Sequence, residues 1–188
     1  MYAGHIASAL AMKAKEPRAP TWALVLGVGV LDVLFGIFVP LGIERASLTP
    51  GVAPGFRLDF IDWSHSFLMS LVWAALFAAL AYVTFGRRVR VVALWCGLAV
   101  FSHFVLDLLM HPNDLALWPH GAPHVGFGIW TIHPPFWWFF EAAFVAACLT
   151  YYVVRARRLQ SFGGRAWAVV AVVAILHVVN SPWLAPTK

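Results

Sequence analysis

The chain has 188 residues, of which 62% are hydrophobic and only 11% charged. Soluble domains carry about 25% charged residues, so this composition excludes an ordinary soluble globular protein and points to a membrane protein. The net charge is +5, and its basic residues are too few and too scattered to form a nucleic-acid surface.

Residues 2–12 form an apolar piece too short to cross a bilayer, since a helix needs ~20 apolar residues to span a ~30 Å hydrocarbon core. They predict a short interfacial or re-entrant helix, ended by "KAKEPRAP". The basic residues follow this piece rather than precede it, unlike the arrangement in a cleaved signal peptide. Five longer runs follow, at 21–43, 64–86, 91–110, 134–154 and 166–184, the last being the shortest. The expected fold is therefore all-α. It is a polytopic membrane helix bundle of about five transmembrane helices plus the short N-terminal helix, and residues 1–188 form a single integral membrane domain. Cys96 and Cys148 lie inside apolar runs without partners at metal-binding spacing, and read as small buried side chains.

Basic residues set the expected orientation. Lys13, Lys15 and Arg18 precede the first run, Arg87, Arg88 and Arg90 join the second and third, and Arg155, Arg157, Arg158 and Arg165 join the fourth and fifth. The connections 44–63 and 111–133 hold only Arg45 and Arg57. Lysine and arginine concentrate in cytoplasmic loops, so the basic loops are expected on the cytoplasmic side. The two Pro-, Gly- and Trp-containing connections are then expected on the far side, folded at the membrane surface.

The chemistry lies in "SHFVLDLLMH", which puts His103, Asp107 and His111 at four-residue intervals on one helical face. At 1.5 Å per residue, counting from Val91, they lie ~18, ~24 and ~30 Å along the helix. Asp32 falls midway along the first run, and His65 follows Asp59 and Asp62 at the start of the second. Glu141 lies about two turns into the fourth run, with His177 and Asn180 in the far half of the fifth. His5 can join them only if the N-terminal piece enters the membrane.

Ionisable side chains are costly in a bilayer and mark function by default. Sharing a cation lowers that cost, and imidazole with carboxylate suits zinc, or manganese or iron. His103 and Asp107 are a candidate chelating pair on one helix, with His65 and Asp32 completing the shell. Each residue also has a structural reading. His103 can bond a backbone carbonyl, His111 can be an ordinary interfacial histidine, and Asp59 and Asp62 can be solvated or cap a helix. Asp62 can also orient a metal-bound imidazole. Glu141 can be a ligand, a general base or a paired structural carboxylate, and His177 reads as structural. His120, His124 and His133 read as surface residues. "PPFWWFF" reads as an interfacial anchor.

The pieces "GHIASA", "LGVGVLDV", "DWSHS" and "SHFVLDLLMHPNDLALWP" together resemble the family of LexA-binding, inner-membrane-associated hydrolases, also called membrane-bound metal-dependent hydrolases. The resemblance covers roughly residues 1–120. It implies an inner (plasma) membrane location and carries over His5, Asp32, His65, His103 and Asp107 as metal ligands. The His-x-x-x-Asp element also occurs in type-2 phosphatidic acid phosphatases, but their Lys/Arg-rich phosphate site and "PSGH"-like element are missing from this sequence.

Three functions remain open at this point. One is a metal-dependent hydrolase of a lipid or membrane-associated substrate, with Asp62 or Glu141 as general base and a divalent ion, zinc first, as cofactor. The second is a proton or ion transporter or channel subunit that uses the same His/Asp groups. The third is a non-catalytic structural membrane protein whose polar groups lock helices together.

Overall fold

The computed structural model describes residues 2–48, 56–85, 90–132, 136–159 and 163–184. Arg87, Arg88, His133 and the first residues of the predicted fourth run lie outside them. The described helices are α1 (Tyr2–Lys15), α2 (Thr21–Phe38), α3 (Asp62–His65), α4 (Phe67–Phe85), α5 (Arg90–Met110), α6 (Phe136–Arg158) and α7 (Gly164–Val179). Two small antiparallel hairpins accompany them. One joins β1 (Arg45–Leu48) to β2 (Phe56–Phe60), and the other joins β3 (Leu115–Ala116) to β4 (His124–Val125).

The protein is an all-α membrane helix bundle. Helices α2, α4, α5 and α6 are long and apolar enough to cross a bilayer. The fifth predicted run yields α7, which is apolar but has 16 residues. That length covers ~24 Å and falls short of the ~30 Å core. Large apolar side chains such as Leu76, Leu80 and Val83 on α4 face outward, as expected where the surrounding solvent is hydrocarbon.

Helix α1 lies inside the bundle. It touches α2, α5, α6 and α7. Its Ala3, Ala7 and Leu10 pack against Val145 and Leu149 of α6 and Val173 of α7. Its Ala9 joins Ala23 and Leu24 of α2 and Ala99 of α5. In lipid, helix association relies on close packing rather than on escape from water. The alanines of α1, with Ala23, Gly27, Cys96 and Ala99 across the α2–α5 contact, permit that closeness. Past α1 the chain turns through an elbow. Lys13 Nζ donates to the carbonyls of Pro17 and Ala19 at 2.6 and 2.9 Å. Glu16 accepts two hydrogen bonds from the Arg18 guanidinium, which hold its carboxyl down at about 2.

Two predicted runs end earlier or start later than their hydrophobicity suggested. Helix α2 ends at Phe38; Val39 keeps helical angles and its amide still donates to Phe35 O, but Pro40 has no N–H with which to continue the ladder. Gly42, at φ +71°, then reverses the chain through a conformation that glycine adopts without strain. The amides of Ile43 and Glu44 both donate to the Phe38 carbonyl. Glu44 is thereby sent back into the bundle, where it is only 1% exposed. The second run is broken at Ser66, which is extended and accepts the Met69 amide at 3.3 Å as the cap of α4. His65 therefore sits on the short α3, just before the span.

The segment after α5 folds back over that helix's end. The Phe127 amide donates to Leu108 O and the Gly128 amide to His111 O. Gly126 passes so close that a Cβ there would collide with the carbonyl oxygens of His111 and Pro112. Both hairpin-bearing connections thus gather at the end of the bundle that holds Asp107.

Candidate metal centre

His103 and Asp107, one turn apart on α5, are both buried. His103 Nε2 lies 2.9 Å from Asp107 Oδ2 and 3.6 Å from Asp32 Oδ1 of α2. His65 Nε2 lies 3.6 Å from Asp32 Oδ1 and 3.7 Å from Asp107 Oδ2. Four donors held at ~2.0–2.1 Å around one tetrahedral ion stand about 3.4 Å from one another. Such a tetrahedron has six edges, and these four separations bracket their length. His5 Nε2 of α1 lies 3.2 Å from the other oxygen, Asp107 Oδ1. Five side chains distant in sequence therefore converge, and these are the five metal candidates read from the sequence.

The orientation of the imidazoles is as informative as the distances. His103 Nδ1–H donates to the Val28 carbonyl at 2.6 Å. His65 Nδ1 is 2.6 Å from Ser64 Oγ. That hydroxyl is 2.9 and 2.8 Å from the two oxygens of Glu44, which also accepts the Ser64 amide at 2.7 Å. An ionised carboxylate only accepts, so the Ser64 hydroxyl proton goes to Glu44 and the hydroxyl accepts His65 Nδ1–H. With the rings neutral, Nε2 would be the bare nitrogen in each, and it faces carboxylate oxygens. His103 Nε2 is a buried atom without an aligned hydrogen-bond partner among the described residues. A cation along its lone-pair axis would satisfy it and offset the two carboxylates. The nitrogen and oxygen donors fit zinc, manganese or iron.

His5, Asp32, His65 and Asp107 line a cavity of about 250 Å³ that also touches Tyr2, Phe35, His111 and Trp130, while His103 lies outside its lining; among the described residues no lysine or arginine lines it. Both carboxylates line the cavity, and Asp32, with a side-chain exposure of 47% against 4% for Asp107, is the more open of the two.

The two residues expected to act as general base do not line this cavity. Asp62 Oδ2 accepts the His120 amide at 2.8 Å, and Oδ1 faces His124 at 3.8 Å. Asp62 therefore ties α3 to the loop after α5. His120 and His124 are themselves exposed. Glu141 Oε1 accepts the Gly4 amide in the first turn of α1 at 2.9 Å, and Oε2 lies 3.8 Å from His177 Nδ1. A carboxylate there satisfies an amide that has no partner within its helix and complements the helix dipole. Asp59 is exposed and paired with Arg57.

This placement makes Glu141 an anchor for α1. Glu141→Leu is expected to lower stability by ~1–3 kcal/mol through the orphaned Gly4 amide and to loosen His5. Glu141→Gln, which keeps the acceptor, is expected to lose less than half as much. Thermal unfolding in detergent measures both, and equal losses would contradict the anchoring role.

Glu44 and Ser64 escaped the reading from sequence. Glu44 reads as an ordinary loop acid beside Arg45, and nothing local announces its turn inward. The adjacency of Ser64 to His65 was the available signal, because a neighbouring hydroxyl can reach Nδ1. Comparison with family models, with curated proteins and with solved structures finds no match to this chain.

Proposed function

We propose that the protein is a membrane-embedded, metal-dependent hydrolase of a lipid or membrane-associated substrate, as the resemblance to membrane-bound metal-dependent hydrolases implies. One observation carries this reading. His65 and His103 have their Nδ1–H groups committed to fixed acceptors, which leaves two bare Nε2 atoms facing Asp32 and Asp107. Among the described residues His103 Nε2 makes no hydrogen bond although Asp107 Oδ2 lies 2.9 Å away, and an ion held by both would satisfy them, which supports a divalent ion over a proton relay.

Asp32, His65, His103 and Asp107 hold the ion. The chemistry it supplies is acidification of water and polarisation of a phosphoryl or carbonyl oxygen. Asp32, the more open of the two carboxylates, would turn Oδ1 to the ion and take a proton from water at Oδ2. Glu44 and Ser64 keep His65 in one tautomer. Tyr2, Phe35 and Trp130 line the cavity with apolar rings, a setting for an amphipathic substrate. The basic residues Lys13, Lys15, Arg90, Arg155, Arg157 and Arg158 lie at the helix ends remote in sequence from His103–His111 and from the start of α6. By the positive-inside tendency, the cavity opens toward the outer leaflet of a plasma membrane.

The test is hydrolysis of a panel of phospholipids and prenyl phosphates by purified, metal-loaded protein. Turnover is expected in the wild type and a loss of at least ~100-fold in His103→Ala, since a ligand matters more than the outer-shell partners that already contribute 10–100-fold. Metal-free protein that moves protons across liposomes would overturn the hydrolase in favour of a carrier. Metal-free protein without either activity would leave a structural role.

A further inference from the structure

We infer that the site holds two divalent ions bridged by Asp107, the second bound by His5 and His111. This rests on the metal-site reading above and extends it to a centre that the first four ligands do not describe.

The rings of His5 and His103 are stacked, with centroids 3.8 Å apart and planes inclined by only 2°. Donor atoms of His5, His103 and Asp107 do lie within 4.8 Å of one another, but proximity is not coordination. An imidazole binds an ion through a lone pair that lies in its ring plane. Two parallel planes a stacking distance apart share no point, so His5 and His103 cannot both bind a single ion in plane. Each can bind its own, and ions separated by about that distance fall in the ~3.5–4 Å range of two-metal hydrolytic sites.

Asp107 divides the donors the same way. Its Oδ2 faces His103 Nε2 at 2.9 Å and His65 Nε2 at 3.7 Å. Its Oδ1 faces His5 Nε2 at 3.2 Å and His111 Nε2 at 3.9 Å. Each oxygen thus addresses a separate pair of imidazoles, the arrangement of a bridging carboxylate.

His111 is built as a ligand. It is 4% exposed. Its Nδ1–H donates to Asp114 Oδ1 at 3.1 Å, the carboxylate–histidine pairing that orients metal-bound imidazoles. Its ring lies against Trp130, with centroids 4.7 Å apart. The Gly128 amide on its carbonyl holds its backbone. All of this presents Nε2 to the cavity it lines.

The experiment loads purified full-length protein with Mn²⁺, removes weakly held ions, and measures metal per chain together with the electron paramagnetic resonance spectrum. Two ions per chain are expected, with the halved hyperfine spacing of an exchange-coupled manganese pair. His111→Ala is expected to hold one ion per chain and show an uncoupled spectrum. Asp114→Ala is expected to weaken the second ion by ~10–100-fold. One ion per wild-type chain, with an uncoupled spectrum, overturns the second site and leaves the hydrolase reading standing; His5 would then only hydrogen-bond Asp107. Two ions retained in His111→Ala also overturn it. No ion in the wild type overturns both readings. The wild-type spectrum decides the question even if the variants fail to fold.

Discussion

Asp107→Asn is expected to abolish tight metal binding while leaving the bundle folded. Both oxygens of Asp107 face imidazole nitrogens, and asparagine offers one neutral oxygen in place of two that share a charge. The loss of affinity should exceed the ~10–100-fold that follows removal of an outer partner. Stability supplies the second half of the prediction. Burying a carboxylate costs several kcal/mol unless it is compensated, and in metal-free protein the described residues offer Asp107 the hydrogen bond from His5 but no lysine or arginine. Metal-free Asp107→Asn should therefore unfold at the same temperature as the metal-free wild type or above it. With metal added, the order should reverse, since an ion that binds only the folded state adds stability. Metal content and thermal unfolding with and without a chelator check both halves. A variant that keeps the wild-type metal content would refute the assignment of Asp107.

The second large effect is expected at Ser64. Its hydroxyl links Glu44 to the His65 ring. Ser64→Ala leaves His65 Nδ1 without its acceptor and leaves Glu44, a buried carboxylate, with only the Ser64 amide among the described residues. Metal affinity should fall by ~10–100-fold, the usual consequence of losing an orienting partner. Stability should fall by ~1–3 kcal/mol for the unsatisfied carboxylate. Ser64→Thr retains the hydroxyl and should restore most of the affinity. A purely structural role would move stability alone, so the decisive readout is the nitrogen chemical shift of His65. The wild type should show a protonated Nδ1, and Ser64→Ala a mixture of tautomers. Unchanged affinity with an unchanged tautomer would remove Glu44 and Ser64 from the site.

Residue composition alone determined much of this protein. Apolar runs of the length of a bilayer make helices because lipid leaves backbone amides no other partner, and four of the five predicted runs became helices long enough to cross. The candidate ligands are visible for the same reason. An ionisable side chain in such a run is expensive, so Asp32, His103 and Asp107 stand out from their apolar neighbours in the chain.

Tertiary structure decided what hydrophobicity cannot encode. Periodicity could not tell whether α1 lies on a surface or within the bundle. Its alanines pack inside because four neighbours accept them closely, and that burial delivers His5 to Asp107. Distance along the chain hid Glu44, which the turn at Gly42 aims at Ser64 twenty residues later in sequence. It also hid the true setting of Asp62 and Glu141, whose oxygens bond backbone amides of His120 and Gly4. Residue type announces that a carboxylate needs a partner; only the packed chain selects which partner it meets.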